Sequence, residues 1–288
     1  MFFNKLSGLV RGPRTQLPTH RFVEKVVAAL GDSISEANNF EPVLAQALHS
    51  AELYYRQQIL AIPGPFPVSA TDDCDTPFSR MIFPLREDVQ AALGRSIEIR
   101  DFLPTLARDG HADFFGLLGV RERATRENEP SLQFVDHTIR SIGHTEGYCR
   151  ESLGNSCLHR LLGQFREHVE TLRNRGRLLK TEWNIENRMD SSVANEDQTP
   201  EYVLAEQALQ PDNLLRGLVA WLETPENHLR IESSNIVLAD QGAAGRADLP
   251  VMRCADRRHW VVSLVKIPVQ EALDALASET RCHRYILI

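Results

Sequence analysis

The stretch that decides the fold is LHRLLGQFREHVETLRNRGRLLKTEW, residues 158–183. Eight of its positions are spaced alternately four and three residues apart, and they are Leu158, Leu162, Phe165, Val169, Leu172, Gly176, Leu179 and Trp183. This spacing puts all eight on one side of a single long helix, where they form a narrow apolar strip that another helix has to cover. We call these eight residues the seam.

The charges near the seam predict which segment covers it. Basic residues dominate the seam helix: Arg160, Arg166, Arg173, Arg175, Arg177 and Lys180. Acidic residues dominate the segment that follows: Glu182, Glu186, Asp190, Glu196, Asp197, Glu201, Glu206 and Asp212. Opposite charges on consecutive segments favour an antiparallel helical hairpin, with Asp190 to Gln198 as its polar connection. The alternative is that the seam helix is one core helix of an α+β domain and does not project as an arm.

Helices are also predicted for the first third of the chain. Periodic apolar positions indicate helices at Thr19–Gly31, Pro42–Ile62, Arg86–Leu93 and Ile97–Arg108. Between them, Pro63–Pro77 is predicted to be an extended loop, because its prolines forbid a helix and disfavour a central strand.

Strands are predicted on both sides of the seam. Before it, Phe115–Thr125 and Leu132–Arg140 can pair as a hairpin. After it, strands are predicted at Leu229–Leu238, Val251–Cys254, His259–Lys266 and Tyr285–Ile288, with a helix at Val269–Ala277 before the last of them.

The predicted fold is therefore α+β. It has a helical N-terminal third, a mixed or antiparallel sheet built from two regions of the chain, and a long helical hairpin inserted between those regions. The predicted domains are residues 1–110 (helical), 111–145 with 226–288 (sheet body) and 146–225 (hairpin).

Composition narrows the classes of function. The chain has 288 residues and a net charge of -7, which disfavours broad binding to nucleic acid. Five scattered cysteines without a Cys-x-x-Cys pair are typical of reduced thiols, so we expect a cytoplasmic protein. The segment Phe2–Val10 could form a short amphipathic helix, which leaves peripheral membrane contact as an alternative.

Motifs that carry chemistry are missing from the sequence. It has no nucleophile elbow, no phosphate-binding loop, no dinucleotide fingerprint and no His-Glu-x-x-His. A hydrolase or metal-assisted enzyme would have to assemble its site from scattered residues, of which the candidates are Asp72, Asp75, His111, Asp113, Asp136 and His137. Cys149, Cys157 and His159 are zinc-type ligands without the short spacing of a zinc knuckle, and free cysteines are commonly core residues. We therefore predict no metal site and no cofactor.

The leading functional hypothesis is a non-enzymatic interaction or scaffold protein that uses the surface of the helical hairpin. Leu172, Leu179 and Trp183 are the predicted contact residues, because they lie on the half of the seam that an arm would expose. The predicted partner is another protein or a second copy of this chain, bound through helices.

Overall fold

The computed structural model describes residues 19–70, 76–123, 133–189, 201–234, 249–254 and 259–283. The helices are α1 (Thr19–Leu30), α2 (Phe40–Leu60), α3 (Pro77–Ile82), α4 (Arg86–Arg95), α5 (Ile97–Arg108), α6 (Glu146–Met189), α7 (Glu201–Ala208), α8 (Pro211–Glu223) and α9 (Val269–His283). The strands are β1 (Phe66–Pro67), β2 (Asp113–Arg123), β3 (Gln133–Gly143), β4 (Leu229–Ser234), β5 (Leu249–Cys254) and β6 (His259–Pro268).

The chain divides into two compact units, and the division falls within α2 and within α6. The first unit comprises Met1–Ser50 and His159–Glu223, and the second comprises Ala51–Leu158 and Thr224–Ile288. The predicted three-part division of the chain stays a prediction.

The second unit contains the sheet, whose strands come from both sides of α6, as predicted. Its order is β3-β2-β6-β5-β4, and every neighbouring pair in that order is antiparallel. The α+β class is therefore confirmed. One difference lies in the predicted loop Pro63–Pro77, where Phe66 and Pro67 form β1 and pair in parallel with Val265 and Lys266 of β6. Proline tolerates this position because the pair is only two residues long and Pro67 donates no ladder hydrogen bond.

Helices α3, α4, α5 and α9 form the helical layer of this unit. One continuous core of buried apolar side chains joins them to the sheet, and its members include Ile82, Leu93, Leu103, Phe114 and Val265. Helix α5 occupies the predicted range Ile97–Arg108, because the Ser96 hydroxyl accepts a hydrogen bond from the Ile99 amide (3.2 Å) and caps its first turn.

Side chains from helices cover backbone groups at both edges of the sheet. At the β4 edge, Gln58 of α2 accepts a hydrogen bond from the Ile231 amide (3.0 Å), and the Tyr54 hydroxyl lies 3.5 Å from the Leu229 carbonyl oxygen. At the β3 edge, the Ser96 hydroxyl donates to the Ile139 carbonyl (3.0 Å) and Glu98 accepts from the Ser141 amide (2.6 Å). Bonds of this kind hinder the addition of a strand from another chain, because these backbone groups are already used.

The first unit is a helical bundle that contains the part of α6 from His159 onward. The Phe165 ring of α6 packs edge-on against Trp221 of α8, with ring centroids 5.5 Å apart. The Arg173 guanidinium donates to the Leu30 carbonyl at the end of α1 (2.8 Å), and Asp212 of α8 accepts from the Asn38 amide (2.8 Å). These contacts tie α1 and α8 into the bundle, and Trp221 packs on the seam residue Phe165.

Candidate functional site on the distal part of α6

The burial of the seam residues decreases along α6. Leu162, Phe165 and Val169 are at most 5% exposed. Leu172 and Leu179 are only half-buried, and Trp183 keeps 38% of its surface exposed. We call residues 172–185 the distal segment. The first half of the seam is therefore buried in the core, and the second half lies at the surface.

One face of the distal segment is covered by α7. A β-carbon placed on Gly176 would lie 3.3 Å from the β-carbon of Ala205, so glycine allows the two helices to approach closely. The Trp183 and Tyr202 rings lie 5.2 Å apart, and the Lys180 ammonium lies 5.8 Å from the Tyr202 ring centroid. This contact covers part of the seam, with an aromatic pair at one end and a small-residue pair at the other.

Two ion pairs accompany this contact, as the opposite charges of the two segments predicted. Lys180 donates to Glu206 (2.8 Å), and Arg175 lies 3.7 Å from Glu201. The hydrogen bond to Glu206 raises the pKa of the Lys180 ammonium. Both pairs are at the surface, where such interactions are weak and screened by salt.

Two large apolar side chains are exposed on the opposite face of the distal segment. Leu178 is 65% exposed and Ile185 is 53% exposed. Leu178 follows Gly176 by two positions, and Ile185 follows Trp183 by two positions; Gly176 and Trp183 both contact α7. Two positions correspond to a rotation of about 200° around the helix axis, so both side chains point away from α7. Because the two are seven residues apart, they form a second apolar stripe. We call Leu178 and Ile185 the open stripe.

Charged side chains border the open stripe. Arg177 and Glu182 form no ion pair with any residue that the structure describes. Four basic residues of the distal segment, Arg173, Arg175, Arg177 and Lys180, stand against the single acidic Glu182. This part of α6 is therefore basic, although the net charge of the chain is -7.

The candidate catalytic residues that the structure describes have separate partners. Asp113 pairs with Lys266 (2.8 Å), and Asp136 pairs with Arg121 (3.1 Å). His137 Nε2 lies 2.7 Å from the Ile82 carbonyl oxygen. His111 stacks on His144, with ring centroids 5.5 Å apart. Asp72, Asp75 and the predicted amphipathic segment Phe2–Val10 lie outside the described residues.

The cysteines on α6 lie in the core. Burial raises the pKa of Cys149 and of Cys157 to about 12, so both thiols stay protonated at neutral pH. His159 is hydrogen-bonded to Lys25 within the first unit. In the part of the chain that the structure describes, no three His, Cys, Asp or Glu side chains are placed to hold a metal ion. None of the described helices combines the length and the apolarity needed to cross a membrane.

The comparisons with protein-family models, with curated proteins and with solved structures found no match to this chain. The open stripe is the feature of this surface that the sequence prediction missed. The sequence does contain a signal for it, which is the seven-residue spacing of Leu178 and Ile185. Leu178 directly precedes the seam residue Leu179, and Ile185 lies two positions after the seam residue Trp183. The seam is longer and more regularly spaced, so it dominates the apolar periodicity of this helix.

Proposed function

We propose that this chain is an interaction protein that binds an acidic amphipathic helix of a partner protein along the distal segment of α6. The observation that carries the proposal is the exposure of Leu178 and Ile185 on one face of a basic helix. Exposed apolar residues at a seven-residue spacing are the pattern that a partner helix covers.

The charges support an acidic partner. Arg177 borders the open stripe without an ion pair among the described residues, and Arg175 is engaged only at 3.7 Å by Glu201. Glutamates on a partner helix would pair with these guanidinium groups while its apolar residues cover Leu178 and Ile185. Such pairs favour the correct partner and its rate of association more than they add affinity.

The sheet offers less to a partner than the helix does. Gln58 and Tyr54 at the β4 edge, and Ser96 and Glu98 at the β3 edge, already occupy backbone groups to which an added strand would bind. Recognition by a helix in contact with α6 is therefore favoured over recognition by strand addition.

The size of the open stripe sets a limit on affinity. Covering the exposed parts of Leu178 and Ile185 contributes roughly 1–2 kcal/mol for each side chain. Association costs about 4–15 kcal/mol in lost translational and rotational freedom. The open stripe alone does not offset this cost, so measurable binding also needs the charge pairs and other residues of the distal segment.

A labelled acidic peptide tests this proposal by fluorescence anisotropy. The probe is a helical peptide of about 20 residues, a length at which an isolated helix begins to be stable, with a leucine stripe flanked by glutamates. A matched peptide carries lysines in place of the glutamates. We expect the glutamate peptide to bind the full chain at low salt, and Leu178→Glu to weaken that binding by at least about tenfold.

The control variant is Leu60→Glu, because Leu60 is 63% exposed on α2 and has nearly the same exposure as Leu178. It is expected to leave binding unchanged. Equal binding of the lysine peptide, or an equal loss in Leu60→Glu, would show that the proposed surface is wrong. Sedimentation of the protein alone adds a further outcome, since self-association that disappears in Leu178→Glu would assign the stripe to a second copy instead.

A further inference from the structure

We infer that α7 is a built-in occupant of the partner surface, which limits how much of the distal segment an acidic helix can reach. This inference rests on the proposed function and deepens it by naming the chemistry of the larger interface. It starts from the observation that α7 itself contacts α6 as a short acidic helix.

The contacts of α7 specify what a partner helix would present. Glu201 and Glu206 pair with Arg175 and Lys180. Tyr202 and Ala205, three residues apart on the same face of α7, lie against Trp183 and Gly176. A helix with an aromatic residue, a small residue three positions later and glutamates on both sides would therefore fit the same face of α6.

The contacts of α7 with α6 are weak enough for a partner helix to replace α7. No residue of α7 is fully buried, and Leu204 on its outer face is 54% exposed. Both ion pairs are exposed to solvent, so salt weakens them. At its C-terminal end, however, α7 continues into α8 after two residues, and the Gln207 carbonyl oxygen accepts a hydrogen bond from Asn213 (2.5 Å). Release of α7 would therefore be a swing about this end, with α8 staying in place.

Release of α7 would open the side of α6 that carries the distal part of the seam, where Leu172, Leu179 and Trp183 are the predicted contact residues. A partner helix that replaces α7 would bind this face of the distal segment, and the affinity would no longer be limited to the open stripe. In this arrangement α7 is an autoinhibitory contact.

The test compares the full chain with an Ala205→Arg variant. An arginine at position 205 meets Gly176 at close range and adds a positive charge beside Arg175 and Lys180, so it should lift α7 from α6. Because α7 has no fully buried side chain, the rest of the protein should stay folded, which circular dichroism and a thermal melt would check. A double variant, Glu201→Lys with Glu206→Lys, displaces α7 by charge alone and serves if the arginine disturbs folding.

Two readouts are expected to change together. Hydrogen exchange of residues 172–185 should speed up in Ala205→Arg without any peptide, and the glutamate peptide should bind that variant at least about tenfold more tightly than wild type. Trp183→Ala should weaken binding in the Ala205→Arg background and have little effect in the wild-type background.

The outcomes separate this inference from the proposed function. If exchange speeds up but the peptide affinity and its dependence on Leu178 stay as in wild type, α7 does not compete and only the inference is overturned. Unchanged exchange in both displaced variants would also overturn it. If the glutamate peptide binds none of the proteins, the proposed function itself is wrong, whatever the exchange data show about α7.

Discussion

The substitution Gly64→Ala is expected to destabilise the second unit by at least about 3 kcal/mol, a large effect for the addition of one methyl group. Gly64 has a φ of +114°, a conformation that residues with a β-carbon rarely adopt. A β-carbon there would also lie 2.3 Å from the carbonyl oxygen of Leu264. That oxygen belongs to the backbone of the central strand β6, next to the register pair Phe66 and Val265, so it cannot move away without disturbing the sheet.

The measurement is thermal and urea unfolding followed by circular dichroism. A loss of 3 kcal/mol corresponds to a fall in Tm of roughly 6–12 °C for a domain of this size. The matched control is Gly110→Ala, because Gly110 also has a positive φ (+74°) but a β-carbon added to it would meet no atom within 4 Å. This control is expected to cost only about 1 kcal/mol. Equal losses in the two variants would mean that backbone conformation, and not the approach to β6, determines the effect.

The substitution Arg150→Leu is expected to lower the free energy of unfolding by about 2–4 kcal/mol. The Arg150 side chain is only 16% exposed and its guanidinium joins α6 to the end of α2. It donates to the carbonyl oxygens of Ile59 (2.5 Å) and Ile62 (3.3 Å) and to Glu146 (2.8 Å). Leucine would leave these partly buried acceptors without their charged donor. It would also remove a cation from the C-terminal end of α2, where the helix dipole favours it.

Two variants separate the planar shape of the guanidinium from its charge. Arg150→Lys keeps the cation but cannot reach several acceptors in one plane, so it should recover about half of the loss. Arg166→Leu on the same helix removes an exposed i,i+4 pair with Glu170 (3.9 Å) and should cost less than about 0.5 kcal/mol. If Arg150→Leu were no more destabilising than Arg166→Leu in urea unfolding, the contacts with α2 would contribute nothing measurable.

Local sequence signals located the elements of the fold well. The apolar spacing placed α5 at Ile97–Arg108, and the ends of β2 and β3 lie within three residues of those predicted for the hairpin strands. Capping, proline position and apolar period are properties of neighbouring residues, so they can be read without knowing what packs against them.

Pairings between segments that are far apart in the sequence were harder to predict from the sequence. Nothing near Phe66 or Pro67 indicates that they join β6 in parallel, because that pairing depends on residues about 200 positions later in the chain. The contact of Arg150 with the end of α2 is similar, since an arginine in a helix gives no sign of which carbonyl groups it will reach.

By itself, the sequence determined that residues 158–183 form one helix with an apolar seam and that the segment after it carries the opposite charge. Only the tertiary structure decided that Phe165 and Val169 are core, that α7 covers the face of Gly176 and Trp183, and that Leu178 and Ile185 face outward. The physical reason is that periodicity fixes the side of a helix on which a residue lies, whereas burial depends on which other segments reach that side.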